Sequence, residues 1–147
     1  MARAVKREEL PLPITGERFR LEGAKDTVTV VRLADGRPVG RIDLESAADG
    51  LFVKALCIDE EHRSYGAGSE AAVLLNRACD AARAPVVRAW APPDRGLAVY
   101  FWIRMGFRPL HGEGPDGGIW FERRLDEQTA VVQPASPRGT SAPGGPA

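Results

Sequence analysis

The spacing of apolar residues predicts four strands in the first sixty positions of the chain. Short runs of alternating or β-branched apolar residues, bounded by turn residues, are typical of strands. The runs span residues 17–22, 27–33, 38–45 and 51–59. Because Asp35 and Gly36 form a strong tight-turn signal between the second and third runs, these two runs are expected to pair as a hairpin. The fourth run, LFVKALCID, is the most apolar and is expected to lie at the centre of a sheet.

Two helices and two further strands are predicted in the second half of the chain. Residues 69–83 carry apolar or small side chains at helical spacing along one stripe, with polar residues on the other side. A second helix is expected over about residues 95–105, with Gly106 as its left-handed C-terminal cap. Strands are expected over residues 86–91 and 118–125. This order of elements indicates an α/β (α+β) fold in which helices pack on a mixed sheet.

The two ends of the chain differ in character from its middle. Residues 1–16 are charged and contain Pro11 and Pro13, so we expect them to form a loose N-terminal arm. Residues 17–125 are expected to form one domain. Residues 126–147 are predicted to be a disordered tail, since from Pro134 onwards no aromatic residue and no aliphatic residue larger than alanine is present.

The composition indicates a soluble domain without a nucleic acid or membrane partner. The chain has 147 residues with 20 basic and 20 acidic side chains, whereas binding to nucleic acid phosphates usually needs a basic excess. No apolar run approaches the roughly 18 residues that a membrane span needs. The N-terminus, MARAVKREEL, lacks the apolar region of a secretory signal.

The cysteines and histidines form no metal-binding pattern. Cys57 and Cys79 are far apart and make no Cys-x-x-Cys, and His62 and His111 have no spaced partners. Neither a metal site nor a disulfide framework is therefore expected, and the chain is expected to be cytoplasmic.

The segment RSYGAGS, residues 63–69, is the candidate for ligand binding. A glycine-rich turn at the start of a helix leaves backbone N–H groups unpaired, and the helix dipole adds a positive end, so such a turn can bind an anion. Ser69 is expected to cap the helix or to add a hydroxyl contact. The spacing alone supports a phosphate site and a purely structural turn equally. It is neither a Walker A motif nor a dinucleotide fingerprint, because no Gly-Lys-Ser/Thr follows and position 71 is alanine.

Two segments of the chain resemble the signature motifs of the GNAT acetyltransferase superfamily. Arg63-x-x-Gly66-x-Gly68, which follows a strand and opens a helix, is similar to that family's Arg/Gln-x-x-Gly-x-Gly/Ala motif. Residues 94–107, DRGLAVYFWIRMGF, are similar to its second signature, a helix that carries an alanine and ends in Gly-Phe. The resemblance covers roughly residues 27–125, and two motifs in the right order are more specific than either alone.

The resemblance implies a mixed, mostly antiparallel sheet flanked by helices, with a V-shaped splay between its central strands. It implies acetyl-CoA as co-substrate, with the diphosphate on the backbone amides of residues 64–68. The end of the central strand would pair with the pantetheine amides, and a β-bulge there would open the slot. The implied cofactor-binding residues are Cys57, Ile58, Arg63, Ser64, Tyr65, Gly66, Ala67, Gly68, Ser69, Arg95 and Trp102.

Several catalytic positions of the family differ in this chain. Trp102 stands where the family usually has a tyrosine that protonates the leaving thiolate, and Tyr100 is expected to face elsewhere. Arg95 replaces a frequent asparagine. The carboxylates nearest to the family's usual base are Asp43 and Glu45, which are interpreted as surface residues. The catalytic acid and base are therefore not assigned.

Two functions follow from these patterns. The first is an N-acetyltransferase that moves an acetyl group from acetyl-CoA to a primary amine of a small molecule or peptide by direct attack on the thioester. The second is a non-catalytic acyl-CoA sensor or partner subunit, which is favoured by Trp102 and by the short segment between Leu21 and Thr27, where the family usually has two helices. An exposed sheet edge would be compatible with a homodimer.

Overall fold

The computed structural model describes residues 3–23, 27–62, 66–92, 96–110 and 118–125. Within these residues, eight strands form one sheet. The strands are β1 (Ile14–Thr15), β2 (Phe19–Gly23), β3 (Thr27–Arg32), β4 (Pro38–Ala47), β5 (Gly50–Ile58), β6 (Val86–Ala91), β7 (Arg108–Pro109) and β8 (Ile119–Arg124). The two α-helices are α1 (Ala67–Ala81) and α2 (Gly96–Arg104). The predicted mixed α/β (α+β) fold is confirmed.

The sheet has the order β1-β2-β3-β4-β5-β6-β8-β7. All neighbouring strands are antiparallel except β5 and β6, which are parallel because α1 connects them. The predicted hairpin between the second and third runs is confirmed as the pairing of β3 with β4. The strands β1 and β7 were not predicted, since two residues at a sheet edge carry no alternating pattern.

The pairing of β5 with β6 ends early, and this opens the sheet. It runs only from Gly50 opposite Val86 to Val53 opposite Ala89. The register of β5 against β4 shifts so that Lys54 is an extra residue, which is a β-bulge. The implied V-shaped splay is therefore present, but the bulge lies at Lys54 rather than at the end of the strand.

The closed end of the V depends on Gly50. A Cβ atom at this position would overlap the carbonyl group of Val86 on β6. Beyond the bulge, β5 continues to Ile58 while it remains paired with β4 alone. The two parallel strands therefore touch at one end and separate at the other.

Helix α1 covers the core face of the sheet with a stripe of small and aliphatic side chains. Its buried residues are Ala67, Ala71, Ala72, Leu74, Leu75, Ala78 and Cys79. These alanines let the helix approach the strands closely, where Leu51, Val53 and Phe121 are almost completely buried. The Asn76 side chain on α1 donates a hydrogen bond to the carbonyl of Met105, the residue that follows α2 (3.1 Å). This bond links α1 to the end of α2.

The expectation of a loose N-terminal arm is wrong for residues 3–16. Val5 is fully buried, and its N–H donates to the Gly50 carbonyl (3.0 Å). Leu10 is also buried, and Arg3 donates to the Ala82 carbonyl at the end of α1 (2.8 Å). The segment is mostly charged, so its two anchoring apolar residues are not visible as a pattern. The predicted tail, residues 126–147, lies outside the described residues.

Both helices begin and end close to their predicted positions. Helix α1 starts at Ala67, two residues before the prediction, with Gly66 as its N-cap. Ser69 therefore lies inside the first turn and is not the cap. At the end of α2, Gly106 has φ = 91°, and the Phe107 N–H bonds to the Trp102 carbonyl (3.0 Å), which confirms the left-handed cap.

Candidate functional site

A cleft of about 620 Å³ occupies the open end of the V. It is bounded by the last residues of β5, the first turn of α1 and one side of α2. Seven of the residues implied as ligand contacts line it, namely Cys57, Ile58, Gly66, Ala67, Gly68, Ser69 and Trp102. Four more, Arg63, Ser64, Tyr65 and Arg95, lie outside the described residues. Leu56, His62, Leu97 and Phe101 also line the cleft and were not predicted.

The first turn of α1 opens into this cleft. Gly66 has φ = 82° and ψ = 3°, a left-handed conformation that glycine adopts without strain. Among the described residues, no side-chain hydrogen bond caps the helix at Gly66. The first turn of a helix presents N–H groups without partners in the helix, together with the positive end of the helix dipole. A Cβ atom at Gly68 would contact Leu56, Ile58 and Phe101 at 3.8–3.9 Å. A side chain at position 68 would thus project into the cleft, and glycine keeps this space free.

The exposed edge of β5 forms a second polar surface. The Asp59 N–H donates to the Val39 carbonyl (2.8 Å), so Asp59 and Val39 form one of the hydrogen-bonded pairs between β5 and β4. Because hydrogen-bonded pairs alternate along antiparallel strands, Cys57 also bonds towards β4, while the backbone groups of Leu56 point the other way. That direction is the cleft, since β6 no longer pairs at this level. An extended ligand that carries amide groups can pair with this edge.

Helix α2 supplies the apolar wall opposite β5. Trp102 is only 7% exposed, and its ring packs edge-on against Phe101 and Phe107 at centroid distances of 5.1 and 5.0 Å. Leu97 is 87% exposed at the mouth of the cleft. The cleft therefore has a polar edge, a helix N-terminus at one end and an apolar wall.

Solved structures of several acetyltransferases share this architecture. The PaiA N-acetyltransferase from Thermoplasma acidophilum in complex with coenzyme A matches with a TM-score of 0.53 and 17% identity, over 67% of this chain and 59% of that chain. A GNAT family acetyltransferase from Elizabethkingia anophelis with acetyl-CoA bound matches with a TM-score of 0.57 and 12% identity, over 68% of this chain and 77% of that chain. An acetyltransferase from Thermus thermophilus matches with a TM-score of 0.53 and 25% identity, over 76% of this chain and 67% of that chain. This chain has a GNAT fold.

The likeness to these proteins lies in three-dimensional structure. No protein-family model matches the sequence, and no curated protein matches it. The chain spans 59% of the length of the Thermoplasma protein. The comparison therefore establishes the GNAT fold, and the activity has to be inferred from the cleft.

The cleft of this GNAT fold receives no tyrosine hydroxyl from α2. Tyr100 is 61% exposed and carries the Arg104 guanidinium over its ring (5.7 Å). The expectation that Tyr100 faces away from the site is therefore confirmed. Trp102 occupies the corresponding wall, and its indole N–H can donate a hydrogen bond but does not release a proton near neutral pH.

The two carboxylates considered as bases do not line the cleft. Asp43 accepts hydrogen bonds from Thr27 Oγ1 (2.9 Å) and Arg41 Nε (3.2 Å). Glu45 is 3.9 Å from the ammonium group of Lys54 and is well exposed. Their interpretation as surface residues agrees with these contacts.

A charged network orders the side of the cleft near His62. The Arg32 guanidinium bonds to both oxygens of Asp35 (3.1 and 2.7 Å) and approaches His62 Nδ1 (3.4 Å). This hydrogen bonding lowers the pKa of Asp35 to about 2 and raises the pKa of Arg32. The His62 ring is mostly buried, and its Nε2 is 3.6 Å from Glu61. His62 therefore lies between Arg32 and Glu61, beside the glycine turn.

The two cysteines of the chain have different surroundings. Cys57 is half-buried and lines the cleft. Cys79 is completely buried on α1, and burial raises the pKa of its thiol to about 12. Among the residues that the structure describes, no three His, Cys, Asp or Glu side chains gather as metal ligands. No helix in the same residues is both long and apolar enough to cross a membrane.

Proposed function

We propose that this chain is an acetyl-CoA-dependent N-acetyltransferase. The observation that carries the proposal is the juxtaposition of the Leu56 backbone edge with the first turn of α1 in one cleft. Pantetheine carries two amides that can pair with a strand edge, and the diphosphate that follows them is an anion suited to a helix N-terminus. Gly66 and Gly68 keep this path free of side chains. The coenzyme A and acetyl-CoA complexes of the two neighbours described above support the same assignment.

The proposed reaction is direct attack of a primary amine on the thioester carbonyl. The acceptor is a small-molecule or peptide amine, which must lose its proton before it attacks. Orientation of the two reactants in the cleft and polarisation of the carbonyl by a strand N–H would supply much of the rate. The carbonyl carbon forms a bond to nitrogen while its bond to sulfur breaks. The nitrogen releases one proton to water, and the thiolate takes one proton from water. This last step requires no acidic side chain at position 102.

A second function is supported by the same wall of the cleft. The Trp102 ring packs edge-on against two phenylalanine rings, and its indole N–H does not release a proton at neutral pH. A chain that binds acyl-CoA without turning it over would serve as a sensor or as the partner subunit of an active enzyme.

Binding and turnover measurements distinguish these functions. Acetyl-CoA at 100 times its dissociation constant should stabilise the folded chain by roughly 2.7 kcal/mol, which is measured as a rise in melting temperature. No rise at millimolar acetyl-CoA would refute both functions. If the rise occurs, release of free CoA is then measured with polyamines, amino acids, aminoglycosides and peptides as acceptors. Turnover with any of these amines supports the transferase, and binding without turnover supports the sensor.

A further inference from the structure

Helix α2 carries apolar side chains on both of its faces. In its sequence, GLAVYFWIR, only Arg104 is charged. Trp102 packs on the core from the inner face. On the outer face, Leu97, Tyr100 and Ile103 are 87%, 61% and 47% exposed. A helix that is apolar all round is normally buried on all sides, so the outer face of α2 is expected to pack against another surface.

Leu97, Tyr100 and Ile103 form one stripe along the helix, because residues three apart lie on the same face. These three residues are called the α2 stripe. Of the three, Leu97 alone lines the proposed acetyl-CoA cleft. A ligand in the cleft would therefore cover one end of the stripe and leave Tyr100 and Ile103 in water. Exposed apolar patches of this kind commonly mark interaction surfaces.

The rest of the chain offers little to cover the α2 stripe. Outside the described residues, the large apolar residues of the sequence are Met1, Tyr65, Val131 and Val132. The other residues there are small, polar, charged or proline. Side chains of these kinds bury little apolar area against an apolar stripe, so we expect the cover to come from another molecule.

A second copy of the chain fits the α2 stripe better than a membrane surface does. Helices that lie on membranes carry many Lys and Arg residues on their polar face, whereas α2 has Arg104 alone. The chain has 20 basic and 20 acidic side chains, so two copies do not repel each other by net charge. A stripe of apolar side chains can also pack against a copy of itself, as the surfaces of two-fold symmetric dimers do.

We propose that two copies of the chain associate through the α2 stripe, with the two helices antiparallel about a two-fold axis beside Tyr100. Leu97 and Ile103 are each three residues from Tyr100, so Leu97 of one copy lies level with Ile103 of the other. The two Arg104 residues then lie at opposite ends of the contact, about 12 Å apart along the helix axis. A parallel arrangement would bring these like charges together and would also align the two helix dipoles.

The contact is short, because α2 has 9 residues. Small interfaces form weak, transient complexes, so the dissociation constant of the dimer is expected in the micromolar range. Leu97 belongs to both the contact and the cleft, and each copy therefore places the mouth of its cleft next to its partner. The inference does not rest on the proposed function, since Tyr100 and Ile103 lie outside the cleft whatever the cleft binds.

The oligomeric state of the whole chain tests the proposal. Sedimentation equilibrium should give a mass that rises from 15.9 kDa towards twice this value as the concentration increases to about 0.5 mM. Tyr100→Lys places two ammonium groups together at the two-fold axis, and Tyr100 is exposed, so the core stays intact. Ala48→Lys is the matched control, because it adds the same charge in the exposed turn between β4 and β5. Circular dichroism checks that both variants fold.

The expected result is selective. Tyr100→Lys should raise the dissociation constant of the dimer by about tenfold or more, since like charges face each other across the axis. Ala48→Lys should leave this constant unchanged.

A cross-link tests the position of the two-fold axis independently. A residue beside the axis faces its own copy, so under mild oxidation Tyr100→Cys should form a disulfide-linked dimer that Ala48→Cys does not form. The unaltered chain, with Cys57 and Cys79, gives the background level. Non-reducing gel electrophoresis measures the linked fraction.

Several results would overturn the inference while the proposed function stands. These are a mass of 15.9 kDa at every concentration, an unchanged dimer in Tyr100→Lys, and equal cross-linking of Tyr100→Cys and Ala48→Cys. Binding of a monomeric chain to phosphatidylcholine vesicles, lost in Tyr100→Lys, would assign the α2 stripe to a membrane surface and also overturn it. Absence of acetyl-CoA binding to the unaltered chain would overturn the proposed function and leave the dimer unaffected.

Discussion

Gly66 meets two requirements at the start of α1. Its φ of 82° lies in the left-handed region, and the Arg18 guanidinium occupies the space next to its Cα atom. Any side chain at this position is strained by the backbone and also displaces a cation beside the proposed diphosphate site. One residue thus combines a conformational role with a role in ligand access.

The substitution Gly66→Val is expected to abolish acetyl-CoA binding, because the valine methyl groups would stand at the glycine turn. Gly36→Val is the matched control, since Gly36 has a similar φ of 71° but no atom of the described residues lies within 4 Å of its Cβ position. Both variants carry similar backbone strain, so both should lose stability. Only Gly66→Val should lose the thermal shift with acetyl-CoA, and a retained shift would show that the turn is purely structural.

Trp102 provides a second prediction at the scale of one residue. Trp102→Tyr should keep or raise the turnover of acetyl-CoA and amine, by up to about 10²-fold, the lower end of what a positioned general acid contributes. Trp120→Tyr is the control, because Trp120 packs on Phe52 (5.0 Å) away from the cleft and should leave kcat unchanged. Steady-state kinetics measure both variants. A large loss of kcat in Trp102→Tyr alone would indicate that the indole has a role of its own.

At the scale of elements, the V-shaped opening depends on how closely β5 and β6 approach at their paired ends. Gly50→Ala inserts a methyl group into the Val86 carbonyl, so it should lower the free energy of unfolding by roughly 1–3 kcal/mol, as overpacking usually does. Gly96→Ala is the control, since no atom of the described residues lies within 4 Å of the Cβ position of Gly96 at the start of α2. Urea denaturation should show the loss only in Gly50→Ala. Equal stability of the two variants would mean that β5 and β6 can move apart at Gly50 without lowering the free energy of unfolding.

The elements also show how far the sequence could predict this fold. Local signals sufficed where the pattern lies within one segment, as in the hairpin of β3 with β4 and the cap at Gly106. They failed for Val5 and Leu10, because the burial of these two residues depends on strands and a helix that are distant in sequence. The bulge at Lys54 has no signal of its own, and the splay that it accompanies was expected only from the resemblance to a known family.

The candidate site was predictable in part for the same reason. The glycine turn and the end of β5 are continuous in sequence, so their residues were identified together. A second cavity, of about 480 Å³, is assembled from the start of β2, the end of β3, the start of β4 and His62, and no local motif joins these segments. The Arg32–His62 contact exists only after the sheet has formed.

At the scale of the whole molecule, stability should fall in acid because several carboxylates are stabilised in their charged forms. The Lys6 backbone N–H and the Arg3 side chain lower the pKa of Glu9, and Arg88 lowers the pKa of Asp49. The pKa of Asp35 is lowered furthest, to about 2. The pKa of each group in the folded chain lies below its unfolded value, which is 4.5 for Glu9 and 3.8 for the two aspartates. The stabilisation is therefore complete at a pH above the unfolded pKa values, and it is lost as the pH falls through the folded pKa values.

This dependence can be measured as the midpoint of urea unfolding between pH 7 and pH 2.5. The midpoint should be constant near neutrality and decline below about pH 4.5, and Asp35→Asn should make the decline shallower. A midpoint that stays constant down to pH 2.5 would contradict the expectation.

The contrast between the two thiols gives the molecule a built-in chemical reporter. Cys79 is sealed in the core and keeps its proton, whereas Cys57 borders the cleft. A thiol-reactive alkylating reagent should therefore add a single adduct to the folded protein, and peptide mass spectrometry would locate it on Cys57. Acetyl-CoA should slow this alkylation in proportion to the occupied fraction of the cleft. The natural chain can thus report its own ligand occupancy without an introduced label.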